Sequence, residues 1–145
     1  MTKLYERDFF AWTQDQADAL RRRSINELDW ENLLEEVESL GRQERNELRN
    51  RLIVLLIHLL KWRFQPQRRG RSWELSILEQ RRESERVLAE NPSLKPQVAD
   101  IVADAYKLAR IRTARQTGLS IKRFPKESPF DWNSAMTEPP VGEDD

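Results

Sequence analysis

The sequence predicts an all-α protein, a single-domain bundle of four or five helices around one strongly apolar central helix. Three observations carry this. Leu, Glu, Arg, Ala and Gln, all good helix formers, dominate the composition, and only four glycines occur in 145 residues. Apolar residues recur at three- and four-residue spacing in successive stretches. One run, residues 52–60, is apolar all round a helix, which requires cover from several sides.

The first helix is expected at about 8–22, where Phe10, Thr13, Ala17 and Leu20 share a face beside Phe9 and Trp12, with Asp8 placed to cap it. The Ser24-Ile25-Asn26-Glu27 segment has the form of a capping box and marks a turn or helix start. Trp30, Leu33, Leu34, Val37 and Leu40 form an amphipathic stripe that predicts a second helix over 29–40, with Asp29 as a possible cap. Gly41 either ends this helix or kinks a longer one. The central helix follows at about 42–64 and stops before Pro66, since the residue preceding a proline is pushed away from helical angles.

Residues 65–71 read as a loop punctuated by Pro66 and Gly70. Ser72 is expected to cap a fourth helix over 73–90, with Trp73, Ile77 and Leu88 along one stripe and Leu75 and Leu78 beside it. Asn91-Pro92 breaks the chain. A fifth helix over 95–117 starts with Pro96 in its first turn, buries Val98, Ile101, Val102, Ala105, Leu108 and Ala109, and ends at Gly118. Residues 118–137 read as an irregular segment that packs back through Phe124, Phe130 and Trp132. The bundle domain is therefore drawn at 1–137, with a disordered acidic tail over 138–145.

Charged residues make up 34% of the chain, yet the net charge is zero and the apolar residues are clustered, so the chain is expected to fold. There is no cysteine, which excludes disulfides and thiolate metal sites and fits a reducing compartment. The first ten residues contain no apolar stretch of secretory type. The run at 52–60 is far shorter than the roughly 20 residues a membrane span needs. A cytoplasmic location without membrane association is the expectation.

Several segments carry a family resemblance: YERDFFAW at 5–12, DWENLLEEVE at 29–38, and HLLKW at 58–62 followed by QP at 65–66 and RSW at 71–73. Their order resembles that of the bacterial domain-of-unknown-function family numbered twenty-nine, over about residues 5–130. The resemblance implies a stand-alone, bacterial, all-helical domain. It implies no activity and supplies no site residue.

His58 is the one histidine, and it sits inside the apolar run. It could serve as a metal ligand or base. The favoured reading is a core residue whose ring nitrogens are satisfied by a nearby carboxylate or carbonyl. Glu31, Glu35 and Glu38 share one side of the second helix. Only Glu38 lies at the edge of the apolar stripe, as a possible partner for His58, so Glu38 with His58 is the alternative metal or hydrolytic site. Di-iron bundles need Glu-x-x-His pairs, which this chain lacks. No phosphate-binding loop, nucleophile elbow or Cys/His cluster is present, and neither a cofactor nor a metal is expected.

Charge is unevenly laid out. Residues 24–47 hold eight acids and two arginines, and residues 127–145 hold six acids and no base. Residues 61–73 hold Lys61, Arg63, Arg68, Arg69 and Arg71 without an acid, interleaved with Trp62, Phe64 and Trp73. Residues 107–126 hold seven bases and no acid. Cations among aromatic rings suit single-stranded nucleic acid, where phosphates meet charge and bases stack. The same cations also complement helix C-termini, and the rings can be core. The expected binding residues are Lys61, Trp62, Arg63, Arg68, Arg69, Arg71 and Trp73. The preferred function is a non-enzymatic module that binds a protein partner or itself through a helical face and the 61–73 loop. Nucleic-acid binding through 61–73 and 107–126 is the alternative.

Overall fold

A computed structural model describes residues 3–141 of the chain. Among the described residues every regular element is helical: α1 (Lys3–Arg7), α2 (Phe9–Arg21), α3 (Trp30–Phe64), α4 (Arg71–Glu90), α5 (Val98–Thr117) and α6 (Trp132–Thr137), joined by short 3-10 turns. The protein is all-α, as its periodicity predicts. The chain divides into two compact units, Met1–Gln43 and Glu44–Asp145.

In the first unit, α2 starts where expected. Asp8 Oδ1 accepts from the Ala11 amide at 3.0 Å, satisfying one of the free amides of the first turn. The buried face of α2 is Trp12, Gln16 and Ala19, not the face centred on Phe10 and Leu20, both of which are exposed. Polar contacts explain the offset. Trp12 Nε1 donates to Asp29 Oδ2 at 3.0 Å, and Gln16 Oε1 accepts from the Asp29 amide at 2.7 Å. Asp29 in turn caps α3 by accepting from Asn32. The preceding helix α1 is tied to α3 by a hydrogen bond from the Tyr5 hydroxyl to Glu36 at 2.5 Å.

The predicted second and third helices are one helix, α3, which runs through Gly41 without a break. A glycine inside a helix costs only about 1 kcal/mol relative to alanine. That is too little to end a helix with good helix formers on both sides.

The second unit holds the contiguous core. Leu52, Ile53, Leu55, Leu56, Ile57, Leu59 and Leu60 of α3 are all buried, against Ile77 and Val87 of α4, Ile101, Val102, Ala105, Tyr106 and Ala109 of α5, and Phe124, Phe130 and Ala135 beyond. Tyr106 belongs to the buried face of α5, while Leu108 is only partly covered. Helix α4 begins one residue before Ser72, with Gly70 at the cap position and no side-chain cap, so Ser72 lies inside the helix. Gly118 ends α5 at a φ of 75°, in the left-handed region where glycine has no steric penalty, and its amide bonds the Ala114 carbonyl.

The C-terminal segment is more regular than expected. Asp131 and Ser134 form a reciprocal capping box that starts α6. The tail does not come free at 138. The buried guanidinium of Arg81 donates to the carbonyls of Ala135 at 2.8 Å and Pro140 at 2.5 Å, and to that of Glu138. The rest of the predicted tail, 142–145, lies outside the described residues.

Two buried polar atoms on α4, Ser84 Oγ and Gln80 Oε1, lack a hydrogen-bond partner. A buried hydroxyl without a partner forfeits its hydration for nothing. Ser84→Ala is therefore expected to leave stability unchanged or raise it by up to about 1 kcal/mol. Urea unfolding measures this, and a loss of more than about 1 kcal/mol would show that Ser84 has a partner.

Candidate functional site

In the first basic stretch three cations lie over rings of the same chain. Lys61 Nζ sits 5.8 Å from the centre of the Trp73 ring. The Arg69 guanidinium lies 5.1 Å from that of Trp62 and its Nε donates to the Trp62 carbonyl at 2.7 Å. Arg63 lies 4.7 Å from the Phe130 ring and pairs with Glu138 at 2.6 Å. Each of these rings thus carries a cation of its own chain, a favourable arrangement in itself. Burial also lowers the pKa of Lys61. Arg68 and Arg71 are exposed and form no salt bridge among the described residues.

The second basic stretch is assembled differently. Beyond Gly118 the chain folds back along α5: Tyr106 donates its hydroxyl to the Pro125 carbonyl at 2.5 Å, and Arg110 Nε to that of Phe124 at 3.2 Å. Lys122, Arg123 and Lys126 are thereby brought beside the C-terminal half of α5, which carries Lys107, Arg112 and Arg115. Among the described residues none of these six cations lies within 4.0 Å of a carboxylate.

Glu38 and His58 do not converge. Both lie on α3, twenty residues apart in sequence, and Glu38 is exposed. The partner of His58 is local: its Nδ1 is 2.9 Å from the Val54 carbonyl one turn earlier. The ring is partly buried. Burial lowers its pKa, the Val54 bond opposes this and the charge of Lys61 adds to it. Among the described residues no three His, Asp or Glu side chains are grouped as a metal ion would need.

The largest departure from expectation is in the first unit. Trp30, Leu34, Val37 and Leu40, four of the five residues of the stripe that predicted a helix, are between 60% and 64% exposed, while Leu33 is partly buried. On a helix, 30, 34, 37 and 41 form one row, so Gly41 continues the stripe, and a Cβ placed there would meet nothing within 4 Å. The four side chains extend along about 15 Å of helix. A second row, Glu31, Glu35 and Glu38, lies about 100° further round the helix, with Glu38 nearest the stripe. Of these, Glu35 is paired with Arg42 at 3.0 Å.

At its Trp30 end the stripe meets an open cavity of about 510 Å³, lined by Trp12, Trp30, Asp15, Glu27, Asp29 and Glu31 among others. Four carboxylates line it and no base does. Glu27 is paired with Arg22 at 2.8 Å. The Asp29 carboxyl is held below its usual range, chiefly by its hydrogen bond from Asn32, so it stays ionised. Neither the exposed stripe nor this cavity follows from sequence. Periodicity shows that a face is apolar, not what covers it.

Residues 4–139 match the domain of unknown function DUF29, and the chain belongs to that family. No curated protein and no solved structure matches the chain.

The position of His58 sets a pH dependence. A histidine whose folded pKa is depressed contributes stability that is present above its unfolded pKa of about 6.5 and is lost as pH falls through the folded value. The unfolding midpoint of the parent is expected to fall more steeply below pH 6.5 than that of His58→Gln. Parallel midpoint curves for the two proteins would refute the assignment.

Proposed function

We propose that this chain is a non-enzymatic protein-interaction module that docks a partner on the exposed apolar face of its first unit. One observation carries the reading: four large apolar side chains at helical spacing, Trp30, Leu34, Val37 and Leu40, stand mostly exposed on an ordered helix. Exposed apolar side chains scattered singly are ordinary, but a contiguous row of them marks an interaction surface. Its spacing is that by which one helix docks on another. Trp30 is the natural anchor, because tryptophan is enriched among the residues that dominate interface energies. The cysteine-free composition and the family resemblance support placing this module in the bacterial cytoplasm. No helix among the described residues is long and apolar enough to cross a membrane.

A second reading, nucleic-acid binding, is favoured by the unpaired cations of 107–126 more than by the first basic stretch, where Lys61 lies over Trp73, Arg69 over Trp62 and Arg63 over Phe130. On this reading Lys107, Arg112, Arg115, Lys122, Arg123 and Lys126 meet phosphates.

Two experiments separate the readings. If the stripe is a docking face and not core, Leu34→Ser with Val37→Ser changes folding stability by no more than about 0.5 kcal/mol, as for other surface sites. A core leucine such as Leu56→Ala costs about 2–5 kcal/mol. In cells, a photoreactive residue at position 37 is expected to yield an adduct of one defined mass, absent when the probe stands at exposed position 116. A large stability loss, or equal adducts at both positions, would defeat the docking face.

For the second reading, a labelled single-stranded oligonucleotide is titrated at two salt concentrations. Phosphate-driven binding weakens steeply with salt. It is expected to be lost in the Arg115, Lys122, Arg123→Ala variant but retained in Arg68, Arg71→Ala. Binding that is absent at low salt would remove the nucleic-acid reading.

A further inference from the structure

The charge around the apolar stripe identifies the kind of partner, an inference that rests on the docking reading above. Glu31, Glu35 and Glu38 run as a parallel row one step around the helix from Trp30, Leu34 and Val37. Only Glu35 has a cation, Arg42, within salt-bridge distance among the described residues. At the Trp30 end, the cavity adds Asp15 and Asp29, neither with a salt-bridge partner among the described residues, Asp29 accepting from Trp12 Nε1 and Asn32. The first unit as a whole carries ten acids against six bases.

A second copy of this chain fits such a surface poorly. Pairing one stripe antiparallel with another across a two-fold axis brings two Glu31–Glu38 rows together, and like charges at close range repel. We propose instead that the stripe receives an amphipathic helix of a different protein, whose apolar row is flanked by lysine or arginine. The partner's apolar residues lie on Leu34, Val37 and Leu40. Gly41, which presents no side chain, lets the partner backbone come close at that end. The flanking cations pair with Glu31 and Glu38. One of them enters the cavity, where the carboxylates beside the exposed Trp30 ring together suit a cation.

The test uses three helical peptides with the same leucine row, flanked by lysine, glutamine or glutamate. Each carries a fluorescent label and is titrated with the full chain. The lysine peptide is expected to bind at least ten-fold tighter than the glutamine peptide, with the gap closing as salt rises. The glutamate peptide is expected not to bind. The variant Asp15→Asn, Glu31→Gln, Glu38→Gln should lose the preference for lysine while still binding the glutamine peptide. A control variant, Glu79→Gln with Glu85→Gln, which removes two exposed acids of the other unit, should keep it. Leu34→Ser should weaken all binding without altering the melting temperature.

Equal binding of the lysine and glutamine peptides overturns the basic-partner inference and leaves the docking face standing. A preference retained in the triple variant, or lost in the control, overturns it as well. Failure of all three peptides to bind overturns it too, with the docking face then judged by the photocrosslink at position 37. Sedimentation provides a further check: a dimer that Leu34→Ser abolishes would make the occupant a second copy of this chain.

Discussion

The fold of the second unit follows from one constraint: residues 52–60 of α3 are apolar on every side, so every side must be covered. A helix with a single apolar face can rest on one neighbour. This one buries seven large aliphatic side chains around its circumference and needs α4, α5 and the returning C-terminal segment to enclose them. That demand explains why Phe124 and Phe130, in a stretch with little regular structure, are buried almost as completely as the leucines. It also explains where the one histidine sits. Val54 and His58, one turn apart, mark the least covered line along the run, and the His58 ring meets its hydrogen-bonding need from the carbonyl of Val54.

Closing the core with irregular chain brings a polar cost, because such chain has free carbonyls. Arg81 offsets it. A guanidinium offers five N–H donors in a fixed plane and stays charged, so a buried one must find acceptors. It finds three main-chain carbonyls, those of Ala135, Glu138 and Pro140, and binds the segment after α6 to α4. Burial lowers its pKa and the carboxylate of Glu138 opposes this. The same glutamate pairs with Arg63 beside the Phe130 ring. The end of the described chain is thus held by charge-assisted hydrogen bonds as well as by the apolar contacts of Phe130 and Ala135.

How far the sequence was legible depends on the kind of signal. Asp8, Pro66 and Gly118 mark helix ends because each meets a local backbone need, and all three ends are found where those residues put them. The all-apolar run was legible for a similar reason: no arrangement of a helix leaves such a surface in water. Gly41 was ambiguous, since its local cost is small enough for a continuous helix to absorb. The Arg81 clamp was not legible at all, as a lone arginine on a polar helix gives no sign of distant carbonyls. The Trp30–Leu40 stripe was half legible. Its spacing gives the helix and the face, but burial depends on what else the chain supplies. Here α1 and α2 engage the neighbouring side of α3 through Glu36 and Asp29.

The same distinction governs the charges. Cations interleaved with aromatic residues are the composition of a nucleic-acid surface and equally of a set of internal cation–ring pairs. Sequence cannot separate the two, because both need the same residue types at the same short spacing. In the fold a cation of the same chain lies over each of Trp62, Trp73 and Phe130, so internal pairing by itself accounts for the pattern. The zero net charge does not mean that the chain neutralises itself locally. Ten acids against six bases in the first unit leave it at −4, and fifteen against nineteen in the rest leave that at +4. The neutral total is the sum of an acidic unit with an uncovered apolar face and a basic unit with a covered core. An apolar face favours association without choosing among partners, whereas the charges around it decide which partners can stay. In this protein the two features coincide on the first forty-three residues, and the proposed docking of a basic partner rests on that coincidence.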